Sequence, residues 1–409
     1  MKAVNLPPFF STGDPGSFAQ QTLRVRKPAI IDKILEINEF SDEQRQAMLA
    51  LKEELLHGTI GNLFVDSSYN FSALDSESIQ MWEGVIPAYT GKSWLDIPFY
   101  FAESFLYLRI LLAIGYFDLR SSFFMRDPYR PFKMNELFSD KGGLAIGRVL
   151  LQMIQNMVDS AAQLREILYN SLWGNRVDLS LFSIAEKSRE RVLSERGDNL
   201  LIDHSQKLVR LIDRAGRVDF ILDNTGQELV SDLIAVWHIL TNSPDRIVVI
   251  HAKRYPFYVS DAMVGDTDET ISALARDHSS LLKQVGEKIL SFRDKERLQI
   301  RDHYFWNGPL HYPELPPDLN RELSNSDVVV LKGDINYRRT VSDRKWNVFE
   351  NLENIASYFP ADFALLRTMK SESVVDIDEE RAAGLAAKDP EWKVNGERGI
   401  IRVVEKTRP

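Results

Sequence analysis

The spacing of apolar residues changes once along the chain, near residue 198, and the change separates two kinds of structure. Before it, apolar positions recur at intervals of three and four in PAIIDKILEINEF (28–40), DEQRQAMLALKEELL (42–56), FAESFLYLRILLAIGYF (101–117) and IGRVLLQMIQNMVDSAAQLREILYNSL (146–172). That period predicts amphipathic helices, with Asp42 as a helix opener and Pro87, Pro98, Pro128 and Pro131 punctuating the loops. After it, short runs rich in β-branched residues appear: RVDFILD (217–223), RIVVIHA (246–252), DVVVLKG (327–333), FALLRT (363–368) and GIIRVV (399–404). They alternate with helical stretches at 228–240, from about 267 to 300 and around 344–357. Alternation of this kind predicts βαβ units and an α/β fold with a mainly parallel, doubly wound sheet. We therefore expect an α-helical N-terminal domain over 1–170 and an α/β domain over 171–409. The charged stretch 376–398 reads as an exposed helix and loop near the last strand.

Composition narrows the chemistry. At 409 residues, with 44% hydrophobic and 27% charged, the chain can bury more than one core and gives no reason to expect extensive disorder. It has no cysteine, so disulfides, thiolate zinc sites, iron–sulfur clusters and cysteine nucleophiles are excluded. Any metal must be held by oxygen or by histidine nitrogen. With 50 basic and 59 acidic residues the net charge is -9, which offers no broad field to attract nucleic acid. No segment approaches the roughly 18 apolar residues of a membrane span, and the start, MKAVNLPPFFSTGDPG, lacks the apolar core of a secretory signal. A cytoplasmic location without membrane or nucleic-acid partners is expected; oligomeric state is left open.

In a buried parallel sheet, side chains reach solvent where strands end. The first such end is the most informative: Val218, Phe220, Ile221 and Leu222 lead to Asp223 and Asn224, with Glu228 one helical turn on. A carboxylate beside a neutral amide suits a hard cation such as Mg²⁺ or Mn²⁺; equally, Asp223 could cap the next helix and Thr225-Gly226 make the turn. Three further ends are of related kind. Asp261 follows RIVVIHAKRYPFYVS, LKGDINYRR places Lys332, Asp334, Asn336 and Arg338 in one loop, and LLRTMK places Arg367 and Lys370 three apart. Two ends supply acids and amides, two supply cations. That division suits a phosphorylated substrate, whose charge a divalent ion and fixed Lys or Arg side chains can share, and predicts phosphoryl transfer or hydrolysis. Three other motifs carry nothing. Thr90-Gly91-Lys92-Ser93 lacks the P-loop glycine, with Ile86 in its place; the seven histidines form no HExxH pair, and His238 on an apolar helix reads as core or boundary; no GxSxG elbow appears.

The strings LDNTGQELVSDL (222–233), LKGDINYRR (331–339), LRTMK (366–370) and SLWGNRVDLS (171–180) resemble the damage-control phosphatase family, once listed as a domain of unknown function. The Arg367–Lys370 element is similar to its RTxK subfamily III, which includes a protein also described as an acidic-residue methyltransferase. The resemblance covers most of the chain. It implies a three-layer α/β/α sandwich beside a helical N-terminal domain, and a metal-dependent phosphatase acting on sugar phosphates such as fructose 1-phosphate and related phosphometabolites. It further implies that Asp223, Asn224 and Asp261 hold a divalent metal, Mn²⁺ foremost, with Co²⁺, Ni²⁺ or Mg²⁺ as alternatives. Asp334, Ile335, Asn336, Tyr337 and Arg338, with Lys370, would contact the substrate. Asn175 and Asp178, together with Lys332 and Arg367, would support the site, and Glu228 would meet S-adenosylmethionine if that cofactor binds. Ile335 departs from a more common leucine, and Met369 fills the variable position of RTxK. Two alternatives concern mechanism. Asp223-Asn224-Thr225 and Gly333-Asp334 partly imitate the aspartate-nucleophile pattern of haloacid dehalogenases, but Arg338 stands where that pattern wants a second acid. Carboxyl methylation from S-adenosylmethionine would need a glycine-rich first turn, and DNTGQE has one glycine.

Overall fold

The computed structural model describes residues 6–64, 70–174 and 199–406. Seven strands form one sheet: β1 (Leu200–Asp203), β2 (Arg217–Ile221), β3 (Ile247–Ala252), β4 (Leu298–Asp302), β5 (Val328–Lys332), β6 (Phe363–Thr368) and β7 (Gly399–Val404). Their order is β1-β7-β6-β5-β2-β3-β4. From β6 to β4 all neighbours are parallel; β7 runs antiparallel to β6, and β1 pairs parallel with β7. The sheet is therefore mainly parallel, with two reversed strands at one edge.

The five apolar runs read as strands all form strands because each is buried on both faces. Val218 and Phe220 of β2, with Val328 and Val330 of β5, join one core; Ile221, Val329 and Leu331 join the core on the opposite face. Two strands escaped the sequence reading. β4 lies inside the stretch expected to be one helix from 267 to 300, which is two helices, Val264–Ala275 and Ser280–Asp294, followed by the strand. Its LQIRD sequence carries polar residues because it is an edge strand with an exposed end. β1 is a four-residue edge strand, LLID, too short to show a period. Around 344–357 only Leu352–Ile355 is helical.

The N-terminal half is helical as expected, including Lys27–Ile37, Asp42–His57, Ser76–Val85 and Phe99–Ala113. The cap of the second helix is Ser41 rather than Asp42, in a reciprocal capping box with Gln44. Helices Gly143–Ile154 and Ser160–Trp173 fall before residue 174 in sequence, yet they share their apolar core with the sheet and the helix Gly226–Thr241. The separate helical core is built from residues 19–129 together with Tyr255 and Phe257. His238 is buried and hydrogen-bonded to Ser160 at 3.1 Å, a boundary residue.

Candidate active site

Strand order reverses between β2 and β5: β2 is followed outward by β3 and β4, β5 by β6 on the other side. Connections diverge at such a point and leave a crevice at the carboxyl ends of the strands. Four neighbouring strands present ionisable side chains there. Asp223 lies two residues past β2, Lys253 follows β3, Lys332 closes β5 and Lys370 lies two residues past β6.

Asp261 reaches the crevice by a different route from that expected. β3 ends at Ala252, and the chain makes an excursion before returning, so that Asn224 pairs with Asp261 in an antiparallel bridge and Lys253 with Met263 in a parallel one. The Ala262 N–H donates to the Asp223 carbonyl and the Thr225 N–H to the Ser260 carbonyl, each at 2.8 Å. The turn before this return holds Tyr258 and Val259 at φ 47° and 69°, a left-handed conformation that costs on the order of 1–3 kcal/mol at such residues. Just after that turn the chain reaches Asp261, which bridges to Asn224 beside Asp223.

The side chains interlock. Asn224 Nδ2 donates to Asp223 Oδ2 at 2.8 Å and to Glu228 Oε2 at 3.0 Å, while its Oδ1 accepts from Ser260 Oγ at 2.6 Å. The capping role open to Asp223 is not taken up: the helix Gly226–Thr241 starts from Thr225, with no side-chain cap. Instead the Asp223 carboxylate lies against Gly333, where a Cβ would come within 1.8 Å of Oδ2. Burial, with the Glu228 and Asp261 carboxylates beside it, raises the Asp223 pKa well above the usual carboxylate range, against the pull of Lys370 and Lys253. Burial also raises Asp261, although Lys253 stands 3.2 Å from it, and lowers the Lys253 ammonium to about 8.

The segment GDINYRR is a helix, Gly333–Thr340, not a loop, so its polar side chains point in different directions. Lys332 is fully buried and pairs with Glu228 at 2.9 Å and Asp232 at 3.1 Å. Asn336 is buried, donating to the carbonyls of Lys332 at 2.7 Å and Leu222 at 3.2 Å and accepting from Tyr312 at 3.0 Å. Tyr337 accepts from the Val375 N–H at 2.9 Å and packs under Arg367, whose guanidinium lies 3.9 Å from the ring centre. Arg338, expected to face phosphate, is buried between Glu103 at 2.5 Å and Asp343 at 2.8 Å. Arg367 is held by Asp334 at 2.7 Å, and Ile335 is half-buried. Lys370 is exposed and makes no ion pair among the described residues. Of the expected cations it is the one available to a ligand. Asn175 and Asp178 lie outside the described residues.

Two further groups at the crevice escaped the sequence reading. Lys253 stands directly after an apolar run, the same signal that marked Asp223. Glu136, on the helix Arg130–Phe138, packs against Gly226, and burial raises its pKa, with Lys370 opposing and Glu228 assisting; nothing in the sequence links it to the sheet.

A hard divalent cation matches this donor chemistry. Among the described residues no three histidine, aspartate or glutamate side chains converge as a ready ligand set; the oxygen-bearing side chains that stand together are those of Asp223, Asn224 and Asp261. The Asp261 oxygen that faces Lys253 at 3.2 Å has no further polar partner among the described residues, and the repulsion that adds to burial in raising Asp223 is of the kind a cation relieves.

Fold and crevice together define an α/β/α protein whose acid-rich site, edged by Lys370 with no ion pair among the described residues, lies at the switch point of its sheet. The chain belongs to the damage-control phosphatase ARMT1-like family, whose domain model matches residues 22–385. It is 27% identical over 435 residues to damage-control phosphatase ARMT1 of Mus musculus, covering 97% of this chain and 98% of that protein. To the Homo sapiens protein of the same name it is 27% identical over 442 residues, with 97% and 98% covered. A DUF89 family protein from Pyrococcus horikoshii, of known crystal structure, is similar at 17% identity and a TM-score of 0.47, over 94% of this chain and 98% of that one.

Proposed function

We propose that the protein is a divalent-metal-dependent phosphomonoester hydrolase acting on sugar phosphates of the fructose 1-phosphate type and related phosphometabolites, in metabolite repair. The observation that carries this reading is the Asn224–Asp261 bridge, which sets Asp223, Asn224 and Asp261 together at the switch point within the electrostatic reach of exposed Lys370. Lys370 attracts the phosphate dianion into the crevice. Its position is fixed from behind, since Asp334 accepts from Ser371 Oγ at 3.1 Å and pins Arg367 beneath the same turn. Asp223, Asn224 and Asp261 would hold the metal, Mn²⁺ foremost and Co²⁺, Ni²⁺ or Mg²⁺ as alternatives; when bound it supplies Lewis-acid polarisation of the phosphoryl oxygens and a more acidic water. Lys253, 3.2 Å from Asp261, balances the charge of that carboxylate. Carboxyl methylation from S-adenosylmethionine draws less support, because both Glu228 oxygens are already engaged, by Lys332 and by Asn224.

The test is phosphate release from a panel of sugar phosphates, measured with each of the four metals. Asp223→Asn should lower kcat on the order of 100-fold or more while circular dichroism stays unchanged. Release that persists both in this variant and after chelation overturns the reading.

A further inference from the structure

The amide of Asn224 poses a problem that the site must solve. A divalent cation is ligated by amide oxygen and repelled by amide N–H₂, yet the two ends of the group exchange by rotation about one bond. An asparagine in such a site therefore needs neighbours that tell its ends apart. Here the nitrogen faces two acceptors, Asp223 Oδ2 at 2.8 Å and Glu228 Oε2 at 3.0 Å, and the oxygen faces a hydroxyl donor, Ser260 Oγ at 2.6 Å. Asp223 itself belongs to the donor set, so Glu228 is the acceptor outside it.

Glu228 is in turn held from behind. Its other oxygen, Oε1, accepts from Lys332 Nζ at 2.9 Å, and this ammonium, wholly buried, also meets Asp232 Oδ1 at 3.1 Å and the hydroxyl of Ser171. Ser171 donates to the same Asp232 oxygen at 2.5 Å. Asp232 lies one helical turn beyond Glu228 on the helix Gly226–Thr241, and Ser171 comes from the end of the helix Ser160–Trp173. Gly174, next along, packs so closely that a Cβ would lie 3.1 Å from the Glu228 nitrogen. Strand β5 and two helices thus converge on one carboxylate whose remaining oxygen points at Asn224.

We propose that Glu228, anchored by Lys332, Asp232 and Ser171, is a positioning residue that fixes the Asn224 amide with its oxygen toward the metal position. The inference rests on the metal-site reading of the previous section and deepens it. It also gives Lys332 a task distinct from phosphate binding, and it explains why a lysine sits at full burial at the end of β5.

The test measures Mn²⁺ affinity by calorimetry on the full-length protein, without substrate, alongside phosphate release. Glu228→Ala removes the acceptor and should weaken Mn²⁺ binding about 10- to 100-fold, the usual cost of losing a group that orients a ligand. Glu228→Gln keeps a carbonyl acceptor for Asn224 Nδ2 and should restore most of that loss. Lys332→Met should fall with the alanine variant; where its melting curve shows it unfolded, the Ala and Gln pair decides. Unchanged affinity in Glu228→Ala overturns the proposal, as does a loss in Glu228→Gln as large as that in Asp223→Asn, which would make Glu228 a ligand. A wild-type protein that binds no divalent ion overturns it too. The phosphatase reading is judged separately: affinities that follow the expected pattern without phosphate release from any substrate would uphold the positioning role and reject that reading.

Discussion

At the scale of single residues, the crevice depends on positions where no other side chain fits. Gly333 has φ 82° and no room for a Cβ, which would meet Asp223 Oδ2 at 1.8 Å. Alanine there would add about 1–2 kcal/mol of backbone strain and would also push the Asp223 carboxylate aside. Gly333→Ala should therefore lose phosphate release on the order of 100-fold and lower the denaturant midpoint; full activity would show that the close approach is not needed. Lys370 belongs to the opposite class, exposed and without an ion pair among the described residues. Lys370→Ala should leave the melting temperature within about 1 °C, since exposed charges contribute little to stability, while raising KM for sugar phosphates about tenfold or more. A Tm loss without a change in KM would assign it a structural part instead.

At the scale of elements, the helix Phe99–Ala113 is coupled to the helix Gly333–Thr340 through a buried charge cluster. Glu103 lies between Lys27 at 2.7 Å and Arg338 at 2.5 Å, and Arg338 also meets Asp343 at 2.8 Å. Burial raises the Glu103 pKa, but the two cations outweigh it and hold the carboxyl below its usual range. A depressed carboxyl stabilises the fold at pH above its unfolded value, ~4.3, and that contribution is lost as pH falls through the folded value. Glu103→Ala should destabilise by about 3–5 kcal/mol at neutral pH, because two buried cations lose a partner. The difference between wild type and Glu103→Gln should shrink as urea titrations are carried below about pH 4; a gap that stays constant with pH would mean that the carboxylate charge is not what holds the helices together.

At the scale of the molecule, a cation held at the switch point would tie the β2 end to the excursion after β3. A ligand present at 100 times its Kd adds about 2.7 kcal/mol of stability, so Mn²⁺ should raise the wild-type Tm by several degrees and leave Asp223→Asn unmoved. The sign with pH follows from the raised Asp223 and Asp261 carboxyls. In the metal-free protein such groups destabilise the fold progressively as pH rises from the unfolded value, ~3.9, through the folded one. Cation binding replaces their protons, so the Mn²⁺-induced rise should be larger at pH 8 than at pH 5, and the reverse order would remove the carboxylates from the site. Much of this architecture is legible in one dimension, because strands buried on both faces must be continuous apolar runs: the five central runs, the end of β2 at Asp223-Asn224 and the helical N-terminal half all follow from local pattern. What pattern does not carry is the partner of each charge. Arg338 and Lys332 read as loop cations, the first facing substrate and the second supporting the site, yet both are buried, because acids distant in sequence, Glu103 in one case and Glu228 with Asp232 in the other, fold onto them. The edge strands β1 and β4 are hidden for a related reason, since an edge needs little apolar sequence. Sequence by itself determined which residue types stand at the ends of strands, through the simple physics of burial. Only the tertiary structure decided which of them share a crevice, because the return of Asp261 to Asn224 and the reversal of strand order at β2 and β5 are contacts between segments that no local period encodes.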